Sequence, residues 1–292
     1  GALAATLCSL VPLQALDSFV QNKALHGKTW PGLLEALSVS VHELVDPPPQ
    51  EGQRADRFKN LRRDPSEGQS QDAPLVITEQ SVIAASDRLF IGATPCKTGR
   101  HMLLSRFRSR HDLAKCLLAS CAIPRSAHPF DLLRNERSPA TYPEVDGVIV
   151  PPECAWDVAA AAAQMRPADG SLPYSPHGIP CVDGGLSAAA PMPPLELQVH
   201  TLSVTPISGP QGCVSASDAQ RTAHYHLCPI DTSVRVPLIA PRLAGMRCYL
   251  SVDNLQAAAQ SLGPSHATMR HWYSRGCEDA ERFLAATPEP PE

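Results

Sequence analysis

The apolar positions of this chain fall into blocks separated by polar, proline-studded stretches. Over residues 1–45 they recur at helical spacing; Pro12 kinks or interrupts the first helix, and Pro31 stands where a second begins, over residues 32–44. Residues 46–74 carry Pro47-Pro48-Pro49 and then a charged run with few apolar anchors, which predicts a flexible loop. Two short strands are predicted over 88–94 and 101–107, and Cys96-Lys97-Thr98-Gly99 between them predicts a hairpin. Ser109 predicts a helix N-cap, with Asp112 in the place of a capping-box acid. Leu113, Leu117 and Leu118 are spaced for one buried face before the helix ends ahead of Pro124. Residues 125–177 read as a proline-studded insertion with one Ala-rich helix over 155–165. The ordered pattern returns with Ile179-Pro180-Cys181-Val182, strands over 198–205 and 223–227, and helices over 250–262 and 265–286. Residues 287–292 form a Pro-rich tail, predicted disordered, and no internal repeat is visible.

Composition narrows the class. Thirty prolines and 17 glycines in 292 residues stay below the roughly 25–30% that marks low-complexity disorder, which excludes collagen and a wholly disordered chain. A chain of this length buries a sizeable core, and no apolar stretch approaches the roughly 18 residues of a membrane-spanning helix. A formal net charge of −4 argues against a dedicated nucleic-acid binder. The ten cysteines are scattered among apolar neighbours with no C-x-x-C pair, as expected of small hydrophobes in a reduced, intracellular protein. The opening Gly1-Ala2-Leu3-Ala4-Ala5 lacks the basic n-region of a secretory signal and reads as the inside of a domain, so the chain is expected to be a fragment.

The densest chemical signal is Cys181-Val182-Asp183-Gly184-Gly185-Leu186-Ser187. A carboxylate at a strand end, followed by two glycines, is exposed on a rigid support while the glycines admit close backbone approach. Taken alone, it is also an ordinary strand-to-turn Asp-Gly. Ala119-Ser120-Cys121-Ala122-Ile123-Pro124 lies upstream of it and Val204-Thr205-Pro206-Ile207-Ser208-Gly209 downstream.

These three motifs, in this order, resemble the patatin-like phospholipase family. The hairpin, the Ser109-capped helix, the S-C-x-I-P end and V-D-G-G-L are similar to its adipose triglyceride lipase-like subgroup. So is the segment 272–284, with Gly276, Asp279, Arg282, Phe283 and Leu284. The resemblance covers most of 1–45, 85–124 and 178–286, and is interrupted by the insertions at about 46–80 and 125–177. It implies one partial domain over 1–286, an α/β hydrolase with a central mixed sheet flanked by helices and truncated at its N-terminus. Gly1 is then expected to be the last glycine of a G-x-S-x-G nucleophile elbow, with the serine two residues earlier and the oxyanion loop further upstream. The implied chemistry is a Ser–Asp dyad in which Asp183 is the base, supported by Gly184 and Gly185, with no metal and no cofactor. The implied substrate is a triacylglycerol or a phospholipid, met at the periphery of a lipid droplet or membrane from the cytoplasm; the fragment alone is expected to be inactive. After D-G-G the family usually places an amide shortly before a proline, whereas here Leu186-Ser187-Ala188-Ala189-Ala190-Pro191 follows. Loss of that amide predicts that Asp183 is held less firmly.

Other readings stand beside this one. A catalytically silent patatin-like protein that binds lipid or a partner is the alternative within the family. His224-Tyr225-His226-Leu227-Cys228 alternates potential zinc ligands, but zinc needs a fourth, and no second pair at metal spacing is present. Two basic runs, Arg54, Arg57, Lys59, Arg62 and Arg63, then Arg106, Arg108 and Arg110, suit either an anionic lipid surface or a solvated face. Asp56 and Asp64 interleave the first run and favour the solvated face. The apolar stretch from Gly1 to Leu16 is expected to be buried behind the nucleophile rather than to lie on a membrane.

Overall fold

The computed structural model describes residues 41, 77–124, 147–165, 178–188, 191–194, 202–209, 225–231, 242–243, 246–261 and 265–286. The expected N-terminal helices, apart from Val41, and the 46–74 loop lie outside these residues. Val41 is helical and buried in the main core.

Helix α1 (Glu79–Ala85), which the sequence pattern did not predict, opens on Thr78, whose hydroxyl accepts the Ser81 N–H at 3.1 Å. Strands β1 (Ile91–Pro95) and β2 (Met102–Leu104) form the expected hairpin, antiparallel, with Ala93 opposite Met102. Gly99 turns the chain between them at φ 61°. Helix α2 (Arg110–Ser120) starts where Ser109 predicts: its hydroxyl accepts the Asp112 N–H at 3.1 Å. Asp112 does not complete a capping box; its carboxylate pairs with Arg108 at 2.9 Å. Leu113, Leu117, Cys116 and Ala119 bury one face of α2 across β1, β4 and β3, while Leu118 is half-buried at its side.

The segment 147–165, which the sequence sets apart as insertion, belongs to this core. Its strand β3 (Val148–Val150) pairs with β4 (Ile179–Asp183), and β4 pairs with β1, giving the order β2-β1-β4-β3 with every pairing antiparallel. After a single 3₁₀ turn over Pro152–Cys154 the same segment reaches the opposite edge. There Ala155 bridges Leu104, Cys154 O accepts the Ser105 N–H at 2.8 Å, and the Trp156 N–H reaches Leu103 O at 2.9 Å. One stretch of chain therefore forms the β3 edge strand and caps the β2 edge, and Val150, Cys154 and Ala155 are fully buried. Helix α3 (Val158–Met165) follows.

Beyond the sheet, β5 (Leu202–Val204) and β6 (Tyr225–Leu227) form a separate parallel pair. The parallel component expected within one mixed sheet thus stands apart from the four-stranded antiparallel one. A short antiparallel pair, β7 (Arg242–Leu243) with β8 (Met246–Arg247), precedes helices α4 (Val252–Ser261) and α5 (His266–Ala286). The helices are joined by a hydrogen bond from Trp272 Nε1 to Gln260 Oε1 at 2.9 Å, and Phe283 meets Tyr225 edge to face at 6.4 Å. The described chain is a mixed α/β structure built on a small antiparallel sheet with helices. Among the described residues no helix is long and apolar enough to cross a membrane.

Candidate active site around Asp183

Asp183 is the last residue of β4 and the N-cap of a 3₁₀ turn, Gly184–Leu186, so it sits at a strand end as its sequence context predicts. Three hydrogen bonds fix it. Oδ1 accepts the Gly185 N–H at 2.6 Å, the backbone N–H donates to Ala122 O at 2.9 Å, and the carbonyl accepts from Thr94 Oγ1 at 2.7 Å. The second of these joins the S-C-x-I-P segment to V-D-G-G-L, which the sequence could only place in order. The side chain is half-buried. Burial pushes the carboxyl above its ordinary value, and the Gly185 N–H opposes that shift by favouring the ionised form. A carboxylate that is costly to ionise, with one oxygen fixed, suits proton transfer better than structural pairing.

The two glycines do different work. A Cβ on Gly184 would overlap the carbonyl of Gly92 in β1 and stand 3.0 Å from Ala93 N, so the turn packs directly on the strand backbone. A Cβ on Gly185 would meet the Asp183 side chain, its Oδ1 at 2.9 Å, and no backbone atom among the described residues. Gly185→Ala is therefore expected to leave thermal stability nearly unchanged. It should slow any reaction that depends on Asp183 by about tenfold, since small misplacements of a catalytic group carry costs of this order. Melting curves and kcat measured on the same preparation check both halves. Gly1, the remaining residue of the expected site, lies outside the described residues.

Thr94 and His101 join this site without any signal in the sequence, and Ser187, the last residue of the 181–187 motif, joins it with no role assigned beforehand. Thr94 Oγ1 and Ser187 Oγ are 2.7 Å apart, and Ser187 Oγ is 3.5 Å from His101 Nδ1. Cys121 flanks the same turn, but burial, with the charge of Asp183 adding to it, pushes its thiol up to about 11. Cys181 is pushed up by burial and then by Cys96; Cys116 by its hydrogen bond to Cys154 and then by burial. These thiols stay protonated near neutral pH, which removes them as nucleophiles.

The third motif goes elsewhere. Ser208 lies in a buried network in which its N–H donates to Asn254 Oδ1 at 2.9 Å and its hydroxyl to Asp231 Oδ2 at 3.0 Å. Asn254 Nδ2 in turn donates to the carbonyls of Ser208 and Tyr249, both at 2.8 Å. A cavity of about 50 Å³ beside this network is lined by Asp231, Asn254, Trp272 and Arg275, and shares no lining residue with the Asp183 turn. It has room for a few waters and none for an acyl chain.

No protein-family model, no curated protein and no solved structure matches this chain.

Among the described residues no group of three or more His, Cys, Asp and Glu side chains is placed to hold a metal. His224 lies outside them. The arginines of the second basic run each face a carboxylate: Arg106 meets Asp87 at 3.2 Å, Arg108 meets Asp112 at 2.9 Å, and Arg110 meets Glu79 at 3.1 Å. These pairs reduce the positive field the run offers to an anionic surface, and the exposed one, Arg106 with Asp87, adds little stability. The first basic run lies outside the described residues.

Proposed function

We propose that this chain is part of a patatin-like serine acyl hydrolase that cleaves the acyl esters of glycerolipids, triacylglycerol or phospholipid, through a Ser–Asp dyad. The observation that carries the proposal is Asp183: a half-buried carboxylate at a strand end, one oxygen held by Gly185, its backbone bonded to the S-C-x-I-P segment. In this enzyme Gly1 is the last glycine of a G-x-S-x-G elbow, and the serine two residues earlier is the nucleophile. Its Oγ attacks the ester carbonyl carbon while the hydroxyl proton passes to Asp183. The proton then goes to the departing alcohol, and water, activated by the same carboxylate, hydrolyses the acyl-enzyme. Among the described residues no hydrogen bond occupies Asp183 Oδ2, the oxygen this step uses. The chemistry calls for no metal or cofactor, and the enzyme works at the cytoplasmic periphery of a lipid droplet or membrane.

A fluorophosphonate probe tests the proposal on the full-length protein. One covalent adduct is expected, on the serine two residues before Gly1, together with fatty-acid release from triacylglycerol emulsions or phospholipid vesicles. Absence of both would sink the hydrolase and leave the silent lipid- or partner-binding protein.

A further inference from the structure

We infer that Thr94 is the positioning residue for Asp183, acting through a one-way chain of hydroxyls that runs from Ser187 through Thr94 to the Asp183 carbonyl; this rests on the proposed role of Asp183 as the base. The direction follows from counting protons. A carbonyl only accepts, and a threonine hydroxyl has one proton to give. Thr94 therefore spends that proton on Asp183 O at 2.7 Å, and a lone pair of Thr94 Oγ1 is left facing Ser187 Oγ at 2.7 Å. With the Thr94 proton on Asp183 O, Ser187 is the donor in that contact, the same hydroxyl reaching its other acceptor, Gly184 O, only at 3.3 Å. Its own lone pairs then face His101 Nδ1 at 3.5 Å.

The arrangement ties both ends of the turn to β1. Asp183 begins the turn and Ser187 closes it, with the Ser187 N–H on Gly184 O at 3.2 Å. Thr94 is only 1% exposed, so water cannot replace its hydroxyl without a cavity opening. Both backbone polar groups of Asp183 are satisfied from outside the sheet ladder, by Ala122 and by Thr94. The sequence pattern predicted a loosely held carboxylate because an amide is missing after D-G-G. Thr94 and Ser187 supply the missing restraint from a strand and a turn that no sequence motif connects.

The test uses the full-length protein with glycerol ester substrate and four variants: Thr94→Val, Thr94→Ser, Ser187→Ala and the Thr94→Val/Ser187→Ala double variant. Thr94→Val keeps the shape and removes the proton. It is expected to lower kcat by about 30-fold with KM within about twofold, and to move the acid limb of the pH–rate profile, because the carboxylate is reoriented. Thr94→Ser should restore kcat to within about threefold of wild type. Since the hydroxyls act in series, Ser187→Ala should add nothing to Thr94→Val in the double variant. A wild-type kcat and pH profile in Thr94→Val, with Asp183→Asn inactive, overturns the relay and leaves the base in place. An active Asp183→Asn overturns the base itself. Should Thr94→Val fail to fold, Ser187→Ala decides: an unchanged kcat and pH profile there overturns the relay, and a shifted acid limb supports it.

Discussion

Asp183→Asn in the full-length protein should lose ester hydrolysis by about 10³-fold or more, within the range that a positioned general base contributes. The loss should come without unfolding. An asparagine Oδ1 accepts the Gly185 N–H as the carboxylate does, and the backbone bonds to Ala122 and Thr94 do not involve the side chain. The stability effect has a definite sign. Burial raises the Asp183 carboxyl in the folded protein, so the native state keeps its proton where the unfolded chain has already lost one. The contribution of this group to stability is complete below the unfolded value, about 3.9 for an aspartate, and is lost as pH rises through the folded value. Asp183→Asn carries no such loss, so its melting temperature should match wild type in acid and exceed it once pH passes the folded value. The same shift governs catalysis: kcat/KM should rise with pH along an acid limb displaced upward from the ordinary carboxylate range. A melting temperature for Asp183→Asn well below wild type at neutral pH would mean that the carboxylate stabilises the fold, contrary to its burial.

Gly184→Ala should produce the largest loss of stability from any single methyl group in the turn. The added Cβ overlaps the Gly92 carbonyl and presses on Ala93 N, both backbone atoms of a strand buried along its whole length. Neither can swing aside as a side chain would. Relief requires β1 and β4 to separate at the pair Ala93 and Asp183, where the turn leaves the sheet. A cost of about 3 kcal/mol is expected for such overpacking. For a chain of this size that corresponds to a fall in melting temperature of about 5 °C. Hydrolysis should fail as well, since the displaced backbone carries the carboxylate. Gly185→Ala is the matched control, because its methyl group meets a side-chain oxygen and spares the strand. If Gly184→Ala melted within a degree or two of wild type, the close approach of turn and strand would be wrong.

Local signals were legible in the sequence where a feature depends on neighbours in the chain. Ser109 with Leu113 and Leu117 marked α2, Gly99 marked the hairpin, and Asp183 was placed at its strand end. The closing helices were also found to within two residues at each end. What escaped was short or non-local. Three residues, Val148–Val150, between proline-rich neighbours carry too little alternation to mark a strand, and only pairing with β4 makes them one. Asp112 matched a capping-box position but was claimed by Arg108. Thr94 and His101 could not be joined to Asp183 and Ser187, since the contacts between these pairs span 86 to 93 residues and depend on a strand order the sequence does not state.

That strand order also bears on how the chain is made. As it is synthesised, β1 and β2 emerge as a hairpin whose partners among the described residues all come later in the chain, and an open strand edge is a template on which another chain can pair. Residues 154–156 cap the β2 edge first, and β4 arrives later to fill the β1 edge, bringing β3 with it. A break in synthesis or a cleavage between these two events leaves apolar, unpaired strand exposed, and aggregation is the expected fate of such a product. The span 147–165, which reads as insertion in the sequence, supplies the first cap on that open hairpin and the strand that later pairs with β4.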